Sequence, residues 1–252
     1  MDINHIGILS AMPEEIGETI SHLVEVNEFK FGDLIIYRGF YSTKQTYLKV
    51  SVAWSGWGKV SAARAMTRLI SSATEKIPID LVLFTGVAGA ANKKLNQWDF
   101  VISEQIIQHD FDASPLFPKY VIPAINKSTL ICKKDLVEIG YLAAKKTLSD
   151  IPYLNKNSVK KGFIATGDNF ISNKKTMEKI VECLPSIDAL EMEGGAIAQV
   201  AIQENVPWIV VRTISDGADE DASEDFSEFI KKYKKYSWIY IKNFMDIYLD
   251  IK

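Results

Sequence analysis

Short apolar runs recur along this chain, each closed by glycine or polar residues, with stretches of helical spacing among them. HIGILSA (5–11), IDLVLFTG (79–86) and PWIVVRTISD (207–216) are near-continuous apolar segments of strand length. Runs of this kind suit strands covered on both faces, because a half-exposed strand alternates instead. KVSAARAMTRLISSA (59–73) sets Ala62, Met66, Leu69, Ile70 and Ala73 on one side of a helix. Alternation of strand and helix points to an α/β fold with a mainly parallel sheet covered by helices. The same reading predicts strands at 99–107, 162–168 and 187–193, and helices at 128–148, 174–183 and 194–204. Two further strands fall within 32–56, around a polar turn at Ser42–Gln45. One long amphipathic helix closes the chain, its face kept by Phe226, Phe229, Ile230 and Tyr233 and continued by Ser237, Tyr240, Ile241 and Phe244.

A chain of 252 residues, 47% of them hydrophobic, can bury one substantial core, and no low-complexity linker or repeat divides it. A single domain over 1–252 is expected. Lys and Arg number 29 against 32 acids, a balance that gives no support to nucleic-acid binding. The densest basic run, Lys231 to Lys235, is interrupted by Tyr233 and reads as the wet face of a helix. No apolar stretch approaches the roughly 20 residues of a membrane span. The N-terminal apolar core covers only Ile6 to Ala11 and acids follow it, which suits a buried strand and not a signal peptide. Cys132 and Cys183 stand far apart and suggest neither a disulfide framework nor a zinc site, so a reducing cytoplasm is the expected compartment.

Ligands of open α/β sheets bind beyond the carboxyl ends of the strands. Here those ends carry Met12–Glu15, Ser55–Gly58, Thr85–Ala91, Gly167–Ile171, Glu191–Glu193 and Ser215–Asp216. Taken singly, each has a plain structural alternative. SGWGKVSAA (55–63) is a glycine-rich turn opening a helix, with neither P-loop nor dinucleotide spacing. TGVAGAA (85–91) lets backbone N–H groups approach a ligand, or simply crowds a turn. Glu14 and Glu15 could cap a helix N-terminus. His109, Asp110 and Asp112 are thin grounds for a metal, and none is expected. Arg212 and Asp216 lie four apart on one strand face and could be a structural pair. ALEMEGGAIA (189–198) sets two carboxylates around a methionine, and a buried carboxylate is costly unless paired or hydrogen-bonded.

In this order the segments GILSAMPEE, SGWGKVSAA, TGVAG, TGDNFI, ALEMEGGAIA and VVRTISDGAD resemble the successive motifs of the methylthioadenosine/S-adenosylhomocysteine nucleosidases, within the purine nucleoside phosphorylase superfamily. The resemblance runs from about Gly7 to Phe229. It implies a central mixed, twisted sheet, partly closed like a barrel and flanked by helices, a homodimer, no cofactor, and hydrolysis of the N9–C1′ bond of an adenine thioribonucleoside. By the same resemblance Asp216 is the acid that protonates N7, Glu15 activates the water (with Glu14 the weaker choice), and Arg212 helps to hold Glu15 and the water. Glu193 takes the ribose hydroxyls, Met192 packs on the sugar, Phe170 stacks on adenine and Ile171 offers backbone groups to its edge. Ala88 and Gly89 line the sugar and water site, and Val87 and Ser215, within the matching motifs, are further substrate-binding candidates. Phe226 and Trp57 fall at the thioalkyl end, and part of 109–118 reaches the neighbouring subunit. Trp57 and Val87 depart from the commoner pattern, which leaves the 5′ preference open. Rival activities of the same fold are a phosphate-dependent nucleoside phosphorylase and an aminofutalosine hydrolase; a catalytically silent nucleoside-binding protein is the non-enzymatic alternative.

Overall fold

The computed structural model describes residues 4–43, 46–217 and 222–251. In chain order its elements are β1 (His5–Ser10), α1 (Pro13–Ile16), β2 (Val24–Phe31), β3 (Leu34–Ser42), β4 (Tyr47–Trp54), α2 (Lys59–Ser71), β5 (Leu81–Ala90) and β6 (Phe100–Gln108). They continue with β7 (Thr129–Ile131), α3 (Lys134–Asp150), β8 (Val159–Thr166), α4 (Lys174–Cys183), β9 (Ala189–Glu191), α5 (Gly194–Gln203), β10 (Trp208–Asp216), α6 (Ala222–Tyr233) and α7 (Ser237–Ile251).

All ten strands join one mixed sheet, in the order β10-β6-β8-β9-β5-β1-β4-β3-β2 with β7 paired to β6. A second pairing, β10 to β5, makes the path β10-β6-β8-β9-β5 return on itself. This ring is the expected barrel character, and β1, β4, β3 and β2 extend from it as an open wing. Closure leaves those five strands without a free edge, and helices bury their outer faces. Every residue of β1 and β10 is buried, as their unbroken apolar runs require. Ile6, Ile8, Leu83, Phe84, Ile209 and Val210 anchor the core.

Four elements differ from expectation. β2 is not among the expected strands, since VEVNEFKF alternates only in two short pieces. Its apolar positions 24 and 26 fall out of phase with 29 and 31, because three steps of β2 (Val24 to Asn27) oppose two steps of β3 (Phe40 to Arg38). Glu25 takes φ +54° at this bulge. The predicted helix at 128–148 begins only at Lys134, since Thr129–Ile131 instead pairs with β6. The single closing helix is two: a turn at 234–236 separates α6 from α7. α6 lies over β10 while α7 packs along α3, and one straight helix could not cover both. Ser237 makes the corner, its hydroxyl donating to the Glu14 carbonyl at 3.3 Å. β5 also runs on through Ala90, so TGVAGA is strand and not a turn after one. Of the predicted polar turn, Lys44 and Gln45 lie outside the described residues.

Candidate active site

The carboxyl ends of β1, β5, β9 and β10 converge on one pocket of about 580 Å³, counted out to its open mouth. Its floor is acidic. Glu15 sits at the third position of α1, where a side chain can turn back onto the N-terminal N–H groups. Its Oε2 accepts from the N–H of Ala11 (2.8 Å) and Met12 (2.9 Å), and its Oε1 from the N–H of Val87 (2.9 Å). Burial pushes its carboxyl above the usual range, against the pull of Arg212 and of these three donors. Glu15 approaches β5 so closely because position 86 is glycine: a Cβ there would lie 2.3 Å from Glu15 Oε1 and 2.6 Å from Arg212 Nη1.

Glu191 ends β9 and accepts from Thr166 Oγ1, from Arg212 Nη2, and from the N–H of Glu193 (3.1 Å) and Gly194 (2.7 Å) that open α5. Arg212 is 1% exposed and lies over the Phe84 ring at 4.2 Å. Its Nη2 is also 3.7 Å from Glu193 Oε2. Burial works against its charge, and Glu191, Glu15 and Glu193 more than offset that, raising its pKa. Glu193 accepts at Oε1 from the N–H of Gly58 at 2.8 Å. Burial first, and then the neighbouring Glu191, push the Glu193 carboxyl upward. Gly58 supplies that N–H from φ +89°, a conformation that glycine adopts without strain.

Consecutive strand residues normally face opposite ways, yet both Ser215 and Asp216 line the pocket. The register of β10 against β5 slips between Ile214 and Asp216, which turns the strand end. Ser215 Oγ donates to Asp216 Oδ2 at 2.6 Å. Over the mouth, Trp57 meets Phe226 edge-on at 6.1 Å between ring centroids, and Phe226 meets Phe170 edge-on at 5.9 Å. Four carboxylates, Glu15, Glu191, Glu193 and Asp216, and three aromatic rings, Trp57, Phe170 and Phe226, line the same pocket, which suits a ligand with both hydroxyl groups and flat or apolar parts.

Residues 5–244 match the family model of the phosphorylase superfamily. The chain belongs to that superfamily. Within it, a 5′-methylthioadenosine/S-adenosylhomocysteine nucleosidase of Haemophilus influenzae is 34% identical over 242 residues, covering 96% of this chain and 98% of the relative. The structure of the nucleosidase of that name from Neisseria meningitidis, in complex with methylthio-immucillin-A, superposes with a TM-score of 0.84 at 28% identity, over 96% of this chain and 99% of that one. A futalosine hydrolase structure from Helicobacter pylori superposes with a TM-score of 0.82 at 31% identity, over 97% and 98% of the two chains.

This phosphorylase-superfamily pocket gathers most of the residues singled out in the sequence. Glu15, Met192, Glu193 and Asp216 line it, as do Val87, Ala88, Gly89 and Ser215. Phe170, Ile171, Phe226 and Trp57 complete that group toward the mouth. Glu14 does not line it. Arg212 stands behind the wall, ion-paired with Glu191 and, at 3.7 Å, with Glu193, whereas Glu15 is held by backbone N–H groups. Asp110 pairs with Lys59, and Asp112 accepts from the Ser114 N–H. Sequence reasoning gave no role to Glu191, Thr166 or the Gly58 N–H. The signal for Glu191 was present in the doubled carboxylate of ALEMEGG, but its partner could be named only once β9, β5 and β10 were known to be adjacent.

Proposed function

We propose that this chain hydrolyses the N-glycosidic bond of 5′-methylthioadenosine and S-adenosylhomocysteine, releasing adenine and the 5-thioribose. The observation that carries hydrolysis over phosphorolysis is the charge of the pocket wall. Glu15, Glu191, Glu193 and Asp216 line it, and among the described lining residues there is no lysine or arginine. A phosphate nucleophile needs cationic partners and free N–H donors. Arg212 is committed to Glu191, and the N–H groups of Ala11, Met12 and Val87 are committed to Glu15. Water needs only a base, and an oxocarbenium-like sugar gains from surrounding carboxylates.

In this reading adenine stacks on Phe170 with its edge at the Ile171 backbone, and Asp216 gives its proton to N7 as the N9–C1′ bond breaks. Glu193 accepts the ribose hydroxyls, with its Oε1 steadied by Gly58. Met192 and the 87–89 stretch of β5 border the sugar. Water attacks C1′ and loses its proton to Glu15, whose raised pKa brings it nearer the range where a base works best. Arg212, paired with Glu191, keeps a positive charge behind the acidic floor. Trp57 and Phe226 cover the 5′ group.

We further propose a cytoplasmic homodimer. Among the described residues no helix is long and apolar enough to cross a membrane, and both cysteines are free. Leu116 is 85% exposed and Phe117 38%, so the 109–118 segment offers apolar surface for a neighbouring subunit to cover. Sedimentation of the protein and of Leu116→Asp tests this: a monomeric wild type refutes it. The activity is tested by adenine release from methylthioadenosine, adenosylhomocysteine, aminofutalosine and adenosine, with and without phosphate. Phosphate-independent release from the two thioether nucleosides is expected. A strict phosphate requirement, or cleavage of aminofutalosine alone, overturns the reading.

A further inference from the structure

Two segments that reach the pocket, at Trp57 and at 169–171, are tied to each other and to the 109–110 stretch by one small charged ring outside it. Lys59, the first residue of α2, donates through Nζ to Asp110 Oδ1 at 2.6 Å. Its Nζ is also 3.7 Å from Asp168 Oδ2. The Lys59 N–H donates to Asp168 Oδ1 at 2.7 Å, and the Asp168 N–H donates to Asp110 Oδ2 at 2.9 Å. Each of the three residues thus holds the other two. The Lys59 and Asp110 side chains are only 18% and 23% exposed, so solvent screens their contact less than that of a surface pair. Burial works against the Asp110 charge, but Lys59 and the Asp168 N–H outweigh it and hold the carboxyl below its usual range. His109 packs against the same junction: a Cβ at position 167 would lie 2.3 Å from its Nε2.

What the ring joins gives it meaning. Gly58, one residue before Lys59, holds Glu193; Trp57 is one residue further back. Phe170 lies two residues after Asp168, and both rings border the mouth. Neither Lys59 nor Asp110 lines the pocket. We infer that Lys59 and Asp110 are positioning residues, a clasp that sets the Gly58 N–H and the 168–171 loop against each other and so fixes the spacing between the sugar-binding and base-binding walls. The inference rests on the nucleosidase reading. The clasp acts on how a ligand is gripped and stands apart from Glu15 and Asp216, so its loss falls on KM.

The test compares Lys59→Met, Asp110→Leu and Lys59→Arg with wild type for steady-state hydrolysis of methylthioadenosine, for adenine affinity by calorimetry and for thermal midpoint. Glu138→Gln, which breaks a surface pair with Lys161 away from the pocket, is the control. Lys59→Met and Asp110→Leu are expected to raise KM and weaken adenine binding by roughly tenfold, the scale of one charged hydrogen bond, with kcat changed less than threefold. Lys59→Arg is expected to recover most of the loss. Equal KM and adenine affinity in all variants overturns the clasp, as does a fall in kcat with KM unchanged. If either variant fails to fold, the milder Asp110→Asn decides, and wild-type KM and adenine affinity in that variant overturn the clasp. A wild type that releases no adenine refutes the nucleosidase reading instead, while adenine calorimetry still tests the clasp.

Discussion

Replacing Glu191 by leucine probes a deeply buried ion pair. Four donors converge on this carboxylate, and it and Arg212 each have side chains 1% exposed. Leucine removes the acceptor and leaves the guanidinium with Glu193 Oε2 at 3.7 Å. Breaking a buried pair by removing one partner costs about 3–5 kcal/mol. The uncapped N–H groups of α5 add about 1 kcal/mol. At roughly 2–4 °C per kcal/mol for a chain near this size, the thermal midpoint should fall by roughly 8–24 °C. Urea unfolding followed by circular dichroism measures the free energy, and differential scanning fluorimetry the midpoint. The double variant Glu191→Leu with Arg212→Met should be more stable than Glu191→Leu alone, because the orphaned charge is gone. A loss below about 1 kcal/mol in the single variant, or additive losses in the double, would refute the argument that this pair holds the floor of the pocket together.

Three other outcomes follow from the same geometry. Glu15→Gln should abolish turnover yet leave binding of a non-hydrolysed nucleoside analogue measurable by calorimetry; retention of most activity would move the base role elsewhere. Asp216→Asn should lower kcat by roughly 10²–10⁴ with a much smaller change in KM, and a nitrophenyl thioriboside, whose leaving group needs no proton, should escape most of that loss; equal slowing of both substrates would make Asp216 structural. His5 is fully buried, bonded to Ser51 Oγ at 2.9 Å, and burial first, with Arg38 and Lys49 adding to it, lowers its pKa from 6.5 to about 4, against the pull of the Ile77 carbonyl and Asp80. The unfolded chain therefore binds one more proton than the folded chain between about pH 4 and 6.5. Stability is complete above that window and declines as pH falls through it, by about 3 kcal/mol in all. His5→Gln should flatten that part of the urea-derived stability profile, and an unchanged slope would count against it.

Much of the fold was legible because β1, β5 and β10 are buried on both faces, and burial on both faces leaves a continuous apolar run in the sequence. The short motifs at strand ends were legible for a related reason: glycine, carboxylate and hydroxyl residues stand out where an apolar run stops. β2 was hidden by its bulge, which breaks the alternation that marks a strand. The first residues of the predicted helix at 128–148 were misread because pairing with β6, a distant partner, outweighs local spacing.

What the sequence determined by itself was which residues are costly to bury, and hence that Glu15, Glu193, Arg212 and Asp216 each need a partner. Which partner each one has was decided only by tertiary structure. Closure of β10 onto β5 sets Arg212 beside Gly86, and the missing side chain there leaves room for Glu15 on the same spot. The slip near Ile214 brings Ser215 and Asp216 into the pocket together. Glu191 becomes the counterion of Arg212, 21 residues away in the chain, because β5 pairs with both β9 and β10. Such pairings depend on strand order and register, which are set by the global packing of the sheet; local sequence specifies the two halves of each contact but not that they meet.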